Sequence, residues 1–101
     1  MSDLSFHIRQ FLPDCEGEEL EARQSLLKAR DYAASIRGRG VTGLALDHAV
    51  TAHEMAGAWL YAPAPVARLK IVLGYCRNLV HAAYLADHLA DFMNEEAAQW
   101  M

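Results

Sequence analysis

From Pro65 to the carboxy terminus the chain contains no further proline and a single glycine, Gly74, while apolar residues recur on two opposite faces of the helix that such a stretch forms. A small core takes up one greasy face of a helix, and a second face asks for a second partner. The segment therefore predicts an interaction protein. A continuous helix of ~35 residues would be ~50 Å long, longer than a compact 100-residue globule, whose radius of gyration is ~13 Å. Either the helix breaks, near Gly74 or Asn94, or part of it projects and pairs with another subunit.

The spacing divides the two faces. Val72, Cys76, Leu79, Ala83, Ala86, Ala90 and Met93, continuing to Ala97 and Trp100, step alternately by four and three, as in a coiled-coil seam. This Ala-rich seam is expected to serve the core or self-association. On the other side His81, Tyr84, Leu85, His88 and Phe92 form a bulky, aromatic and partly titratable face, expected to meet a foreign partner. Trp59 and Tyr61, at the end of the preceding helix, are further candidate anchors.

Upstream, Glu16 to Arg37 carries Leu20, Leu26, Leu27, Ala29, Ala33 and Ile36 at helical spacing, with acids in its first turns and bases in its last. That polarity complements the helix dipole and reads as helix chemistry rather than a binding patch. Arg37-Gly38-Arg39-Gly40 stops the helix. Thr42 is placed to cap the next one, whose stripe is Leu46, Ala49, Val50, His53, Ala56 and Leu60. Ala45, Ala49, Ala52, Ala56 and Gly57 would let a neighbour approach closely. Ala62-Pro63-Ala64-Pro65 makes a tight connector between two antiparallel helices. At the amino end Leu4, Phe6 and Ile8 alternate like a strand, yet Leu4, Ile8, Phe11 and Leu12 also fit a helical stripe. Pro13-Asp14 closes this arm, which is expected to fold back on its own core.

The expected architecture is thus all-α and a single domain: an arm over 1–13, helices over 14–37, 42–61 and 65–100, and a homodimer through the last helix. With 101 residues, 53% hydrophobic and 22% charged, the chain should fold around one core. A net charge of −4 and a pI near 5.6 disfavour direct binding to nucleic acid. Cys15 and Cys76 lack metal or disulfide-framework spacing and read as reduced thiols. The first residues lack a basic segment followed by an apolar one. The longest uncharged stretch, Met55 to Ala67, holds Pro63 and Pro65 and is shorter than the ~18 residues of a membrane span. A cytoplasmic protein without a membrane segment is expected.

No constellation announces catalysis, a metal or a cofactor. His48 and His53 lie about 140° apart around a helix, and His81 and His88 are two turns apart, so neither pair chelates one ion locally. Asp87, His88 and Asp91 could form a pH-sensitive patch. Cys15 sits among acids that oppose its thiolate, and Cys76 falls on the seam. No glycine-rich phosphate loop or Gly-x-Ser-x-Gly elbow occurs.

Two resemblances extend the reading. Ala52-His53-Glu54-Met55-Ala56-Gly57-Ala58 resembles the phosphorylatable-histidine region of histidine phosphotransfer domains, with His53 as phosphoacceptor and Gly57 as the small residue that leaves the ring exposed. Those domains usually place a lysine where this chain has Ala56. The whole chain, acidic and helical with Leu79 to Phe92 available on two faces, is similar to small bacterial anti-activators of LuxR-type quorum-sensing regulators. That resemblance implies a helical dimer that occludes the dimerisation surface of a transcription regulator. The expected function is accordingly non-catalytic: binding another protein to block or redirect it. A phosphotransfer domain using His53 is the alternative.

Overall fold

The computed structural model describes the backbone of residues 3–99 and the side chains of residues 4–89. Four helices follow one another, α1 (Asp3–Phe11), α2 (Gly17–Gly38), α3 (Gly43–Trp59) and α4 (Val66–Gln99), with no strand among the described residues. The amino-terminal arm is therefore a fourth helix. Its helical stripe prevails: Leu4, Ile8 and Leu12 turn inward, whereas Phe6, which a strand would set on the same face as Leu4 and Ile8, stands exposed. As expected, α1 folds back: Ile8 is fully buried, and Ser5 accepts a hydrogen bond from Gln24 of α2.

The helix boundaries follow local chemistry. α2 starts at Gly17, after an extended Glu16 rather than at Asp14, and the Thr42 backbone is extended ahead of α3. Neither side chain makes a capping bond. After α2, Gly40 adopts φ +75°, a left-handed conformation that lets its N–H donate to the Arg37 carbonyl at 3.2 Å. Pro65 stands immediately before α4, and its carbonyl accepts from Arg68 and Leu69 at 3.0 and 3.1 Å.

α2, α3 and α4 pack together around one run of small and branched side chains. Ala45, Ala49, Ala52 and Ala56 are all buried, so the small residues of α3 do admit its neighbours closely. Gly57 does not share that role. It is exposed, and a Cβ there would meet only Arg30 Cδ at 3.8 Å. Leu26, Leu27, Leu60, Leu69, Leu73 and Cys76 fill the lower core, and Ile36, Ala49 and Ala83 close its upper end. Each fully buried leucine or isoleucine contributes roughly 1.5–3 kcal/mol of transfer free energy. The pairing of Leu60 with Leu69 near the connector and of Ala49 with Ala83 far from it makes α3 and α4 antiparallel.

α4 passes Gly74 and Asn94 without a break. At 1.5 Å per residue it is ~50 Å long, about twice α3, and it sets the long axis of a molecule measuring 60 × 26 × 18 Å. Among the described residues no helix is long and apolar enough to cross a membrane.

Candidate interaction surfaces

The core side of α4 is Leu69, Leu73, Cys76, Val80 and Ala83, so the predicted Ala-rich seam shares Cys76 and Ala83 with it and otherwise runs along its edge. Cys76 and Ala83 are buried, and Val72, Leu79 and Ala86 are half-buried, because α2 and α3 both lie on this side. Of its two expected uses, core packing is realised at Cys76 and Ala83, where α2 and α3 cover it. Ala90 and Met93 lie outside the described side chains, as does Phe92. Trp59 and Tyr61 are likewise half-buried and packed on the core, so their rings complete it rather than stand free.

The charged residue that matters most to the core is one the helical stripe of α2 passed over. Arg23 is 2% exposed. Its guanidinium donates to the carbonyls of Leu60 at 2.7 Å, Ala62 at 2.9 Å and Trp59 at 3.4 Å, and to Glu19 at 3.1 Å. The last carbonyls of a helix have no partner within it, and Arg23 reaches from across the bundle to that of Trp59, at the end of α3, and to those of Leu60 and Ala62 just beyond it. A signal existed in the sequence, since Arg23 stands between Leu20 and Leu27 at stripe positions with Glu19 one turn before it.

Two surfaces on the outward side of α4 remain open. The first is a groove between α2 and α4 with a volume of 560 Å³, lined by Ser25, Lys28, Tyr32, Arg77, His81 and Tyr84. His81 and Tyr84 are thus brought together with Tyr32 of α2, and the Tyr84 ring lies 4.1 Å from that of His88. Cationic and aromatic groups alternate along it, a lining that can hold acidic or aromatic side chains of a partner. The second surface is apolar and longer. Ile71 (73% exposed), Tyr75 (57%), Leu85 (51%) and Leu89 (56%) stand out along α4, and Leu44 (67%) joins them from the start of α3. Leu85 belongs to this second surface, not to the groove.

His53 and the two cysteines have structural surroundings. His53 is half-buried, and Arg37 Nη1 lies 2.7 Å from its Nδ1. A guanidinium only donates, so Nδ1 accepts and the ring proton resides on Nε2. Asp87 pairs with Arg39 at 3.2 Å, which ties the end of α2 to α4 and engages one member of the Asp87–His88–Asp91 cluster. Asp91 lies outside the described side chains. Burial pushes both thiols up from their ordinary range, and Glu19 adds to the effect at Cys15, so neither is poised as a thiolate. Among the described residues no group of three or more His, Cys, Asp or Glu side chains is placed to hold a metal ion.

Compared with protein-family models, curated proteins and solved structures, the chain matches none of them.

Proposed function

We propose that this chain is a non-catalytic, homodimeric regulator of the cytoplasm that works by binding another protein, as an anti-activator covering the dimerisation surface of a LuxR-type transcription regulator. The observation that carries the reading is the outward side of α4, where aromatic and aliphatic side chains stand exposed on a rigid helix already packed on its other side. Large exposed apolar patches on a small domain mark interaction sites. The foreign partner docks on the α2–α4 groove, with Tyr84 and Tyr32 as anchors and Lys28, Arg77 and His81 selecting an acidic rim. An acidic chain blocks a DNA-binding regulator through protein contacts, with no direct hold on nucleic acid and no cofactor.

Mixing the purified chain with a LuxR-type regulator from its host tests this. The expected result is a stable complex on size-exclusion chromatography, loss of operator binding by the regulator, and loss of both effects in Tyr84→Asp. Absence of a complex with every such regulator of the host would overturn the anti-activator reading.

The alternative, histidine phosphotransfer, gains one point from Arg37, which supplies beside His53 a cation that the sequence lacks at Ala56. The same contact counts against it, because the proton that Arg37 directs to Nε2 removes the lone pair that would attack phosphorus there. Acid-labile label acquired from a phosphorylated receiver domain, and missing in His53→Gln, would restore it.

A further inference from the structure

Six residues on one outward face of α4 form a further seam. Ile71, Tyr75, Asn78, Ala82, Leu85 and Leu89 are separated by steps of 4, 3, 4, 3 and 4, the spacing that keeps one stripe facing a partner helix. None of the six is charged, and none is fully buried. The stripe is not uniform along its ~27 Å. At its amino-terminal end Ile71 and Tyr75 protrude, with no side chain of α3 or α2 covering them. At its carboxy-terminal end the small Ala82 and Ala86 open a hollow of 590 Å³ walled by Leu44, His48, Leu85 and Leu89. Protrusion and hollow lie on one face of one molecule, two turns of helix apart from each other's nearest members.

We propose that a second copy of this chain covers the stripe, with the two α4 helices antiparallel about a two-fold axis near residue 80. Ile71 of each copy then faces Leu89 of the other, Tyr75 faces Leu85, and Asn78 faces Ala82. The protruding pair of each molecule fills the hollow of its partner, and the operation does so twice, which is the self-complementarity that an isologous interface requires. A parallel arrangement sets Ile71 on Ile71 and Tyr75 on Tyr75 and leaves both hollows empty, so packing selects the antiparallel one. The exposed parts of Leu44, Ile71, Tyr75, Leu85 and Leu89 amount to roughly 600 Å² per copy, and the flanking atoms bring this near the ~800 Å² per partner of a standard interface. The α2–α4 groove, on the other flank of α4, keeps Tyr32 and Tyr84 open to a foreign partner.

This arrangement rests on the homodimer of the proposed function, and one set of experiments separates the two. Sedimentation equilibrium at micromolar concentration is expected to give a dimer, with Ile71→Glu and Leu85→Glu monomeric. Both side chains are exposed in the single chain, so far-UV circular dichroism should stay unchanged. Chains carrying Ile71→Cys or Leu89→Cys, mixed and oxidised, are expected to form the mixed disulfide, while each alone stays unbridged. A monomeric wild type would overturn the homodimer and the arrangement together. A dimer bridged from position 71 to position 71, a dimer with no mixed bridge, or one that survives both glutamate substitutions would overturn the antiparallel stripe alone.

Discussion

Arg23 does with one side chain what solvent does at most helix ends: it satisfies carbonyls at and just beyond the end of α3. Its planar fork reaches three carbonyls and Glu19 together, which a single ammonium group does not match. Arg23→Met should therefore cost about 3 kcal/mol, since it strands the buried Leu60 carbonyl and frees Glu19, and Arg23→Lys should recover only part of the loss. Urea denaturation measures both, and an unchanged midpoint for Arg23→Met would show that the carbonyls find other partners. The position of Arg23 on the apolar stripe was legible from its spacing to Leu20 and Leu27. Its partners were not, because they lie 36 to 39 residues away and are backbone atoms, which side-chain patterns do not register.

At the level of elements, α2, α3 and α4 were legible because apolar periodicity, glycine stops and the Pro63–Pro65 connector all agree, whereas the arm that forms α1 fitted a strand and a helix alike. The allocation of faces was less so. α4 carries three registers of four-and-three spacing, Val72-Cys76-Leu79-Ala83-Ala86, Ile71-Tyr75-Asn78-Ala82-Leu85-Leu89 and Leu69-Leu73-Cys76-Val80-Ala83, and periodicity alone does not say which turns inward. The structure turns the third inward: Leu69, Leu73, Cys76 and Ala83 are buried against α2 and α3, which leaves Ile71, Tyr75, Leu85 and Leu89 outside. The same close view of the helices isolates two residues that do no packing. Gly57 is exposed in α3 with only Arg30 Cδ near a hypothetical Cβ, and Gly74 in α4 has nothing within 4 Å of one. Neither takes a left-handed conformation. Gly57→Ala and Gly74→Ala are each expected to stabilise the fold by about 1 kcal/mol, the helix-interior cost of glycine, and to add when combined. Thermal unfolding checks this, and destabilisation by Gly57→Ala would restore the close-packing role that its sequence neighbours suggested.

The whole molecule is elongated, with a radius of gyration of 16.2 Å against ~13 Å for a compact domain of this length, because α4 outruns the helices that cover it. A rod with one covered side keeps its remaining apolar surface only by giving it a partner, and that requirement reaches stability itself. Whatever binds the folded chain and not the unfolded one stabilises it by mass action, so the stability of a homodimer rises with its own concentration, by about 2.7 kcal/mol at a hundredfold excess over the dissociation constant. For a domain of this size that is a rise in Tm on the order of 10 °C. The two outward surfaces of α4 should separate in this measurement. Tyr84→Asp alters the groove for the foreign partner and should keep the concentration dependence of the wild type, whereas Leu85→Glu alters the stripe and should show a Tm that concentration does not move. A flat Tm in the wild type across that range would mean that the stripe is not covered by a second copy, and an equal slope in Leu85→Glu would move self-association to another face of the bundle.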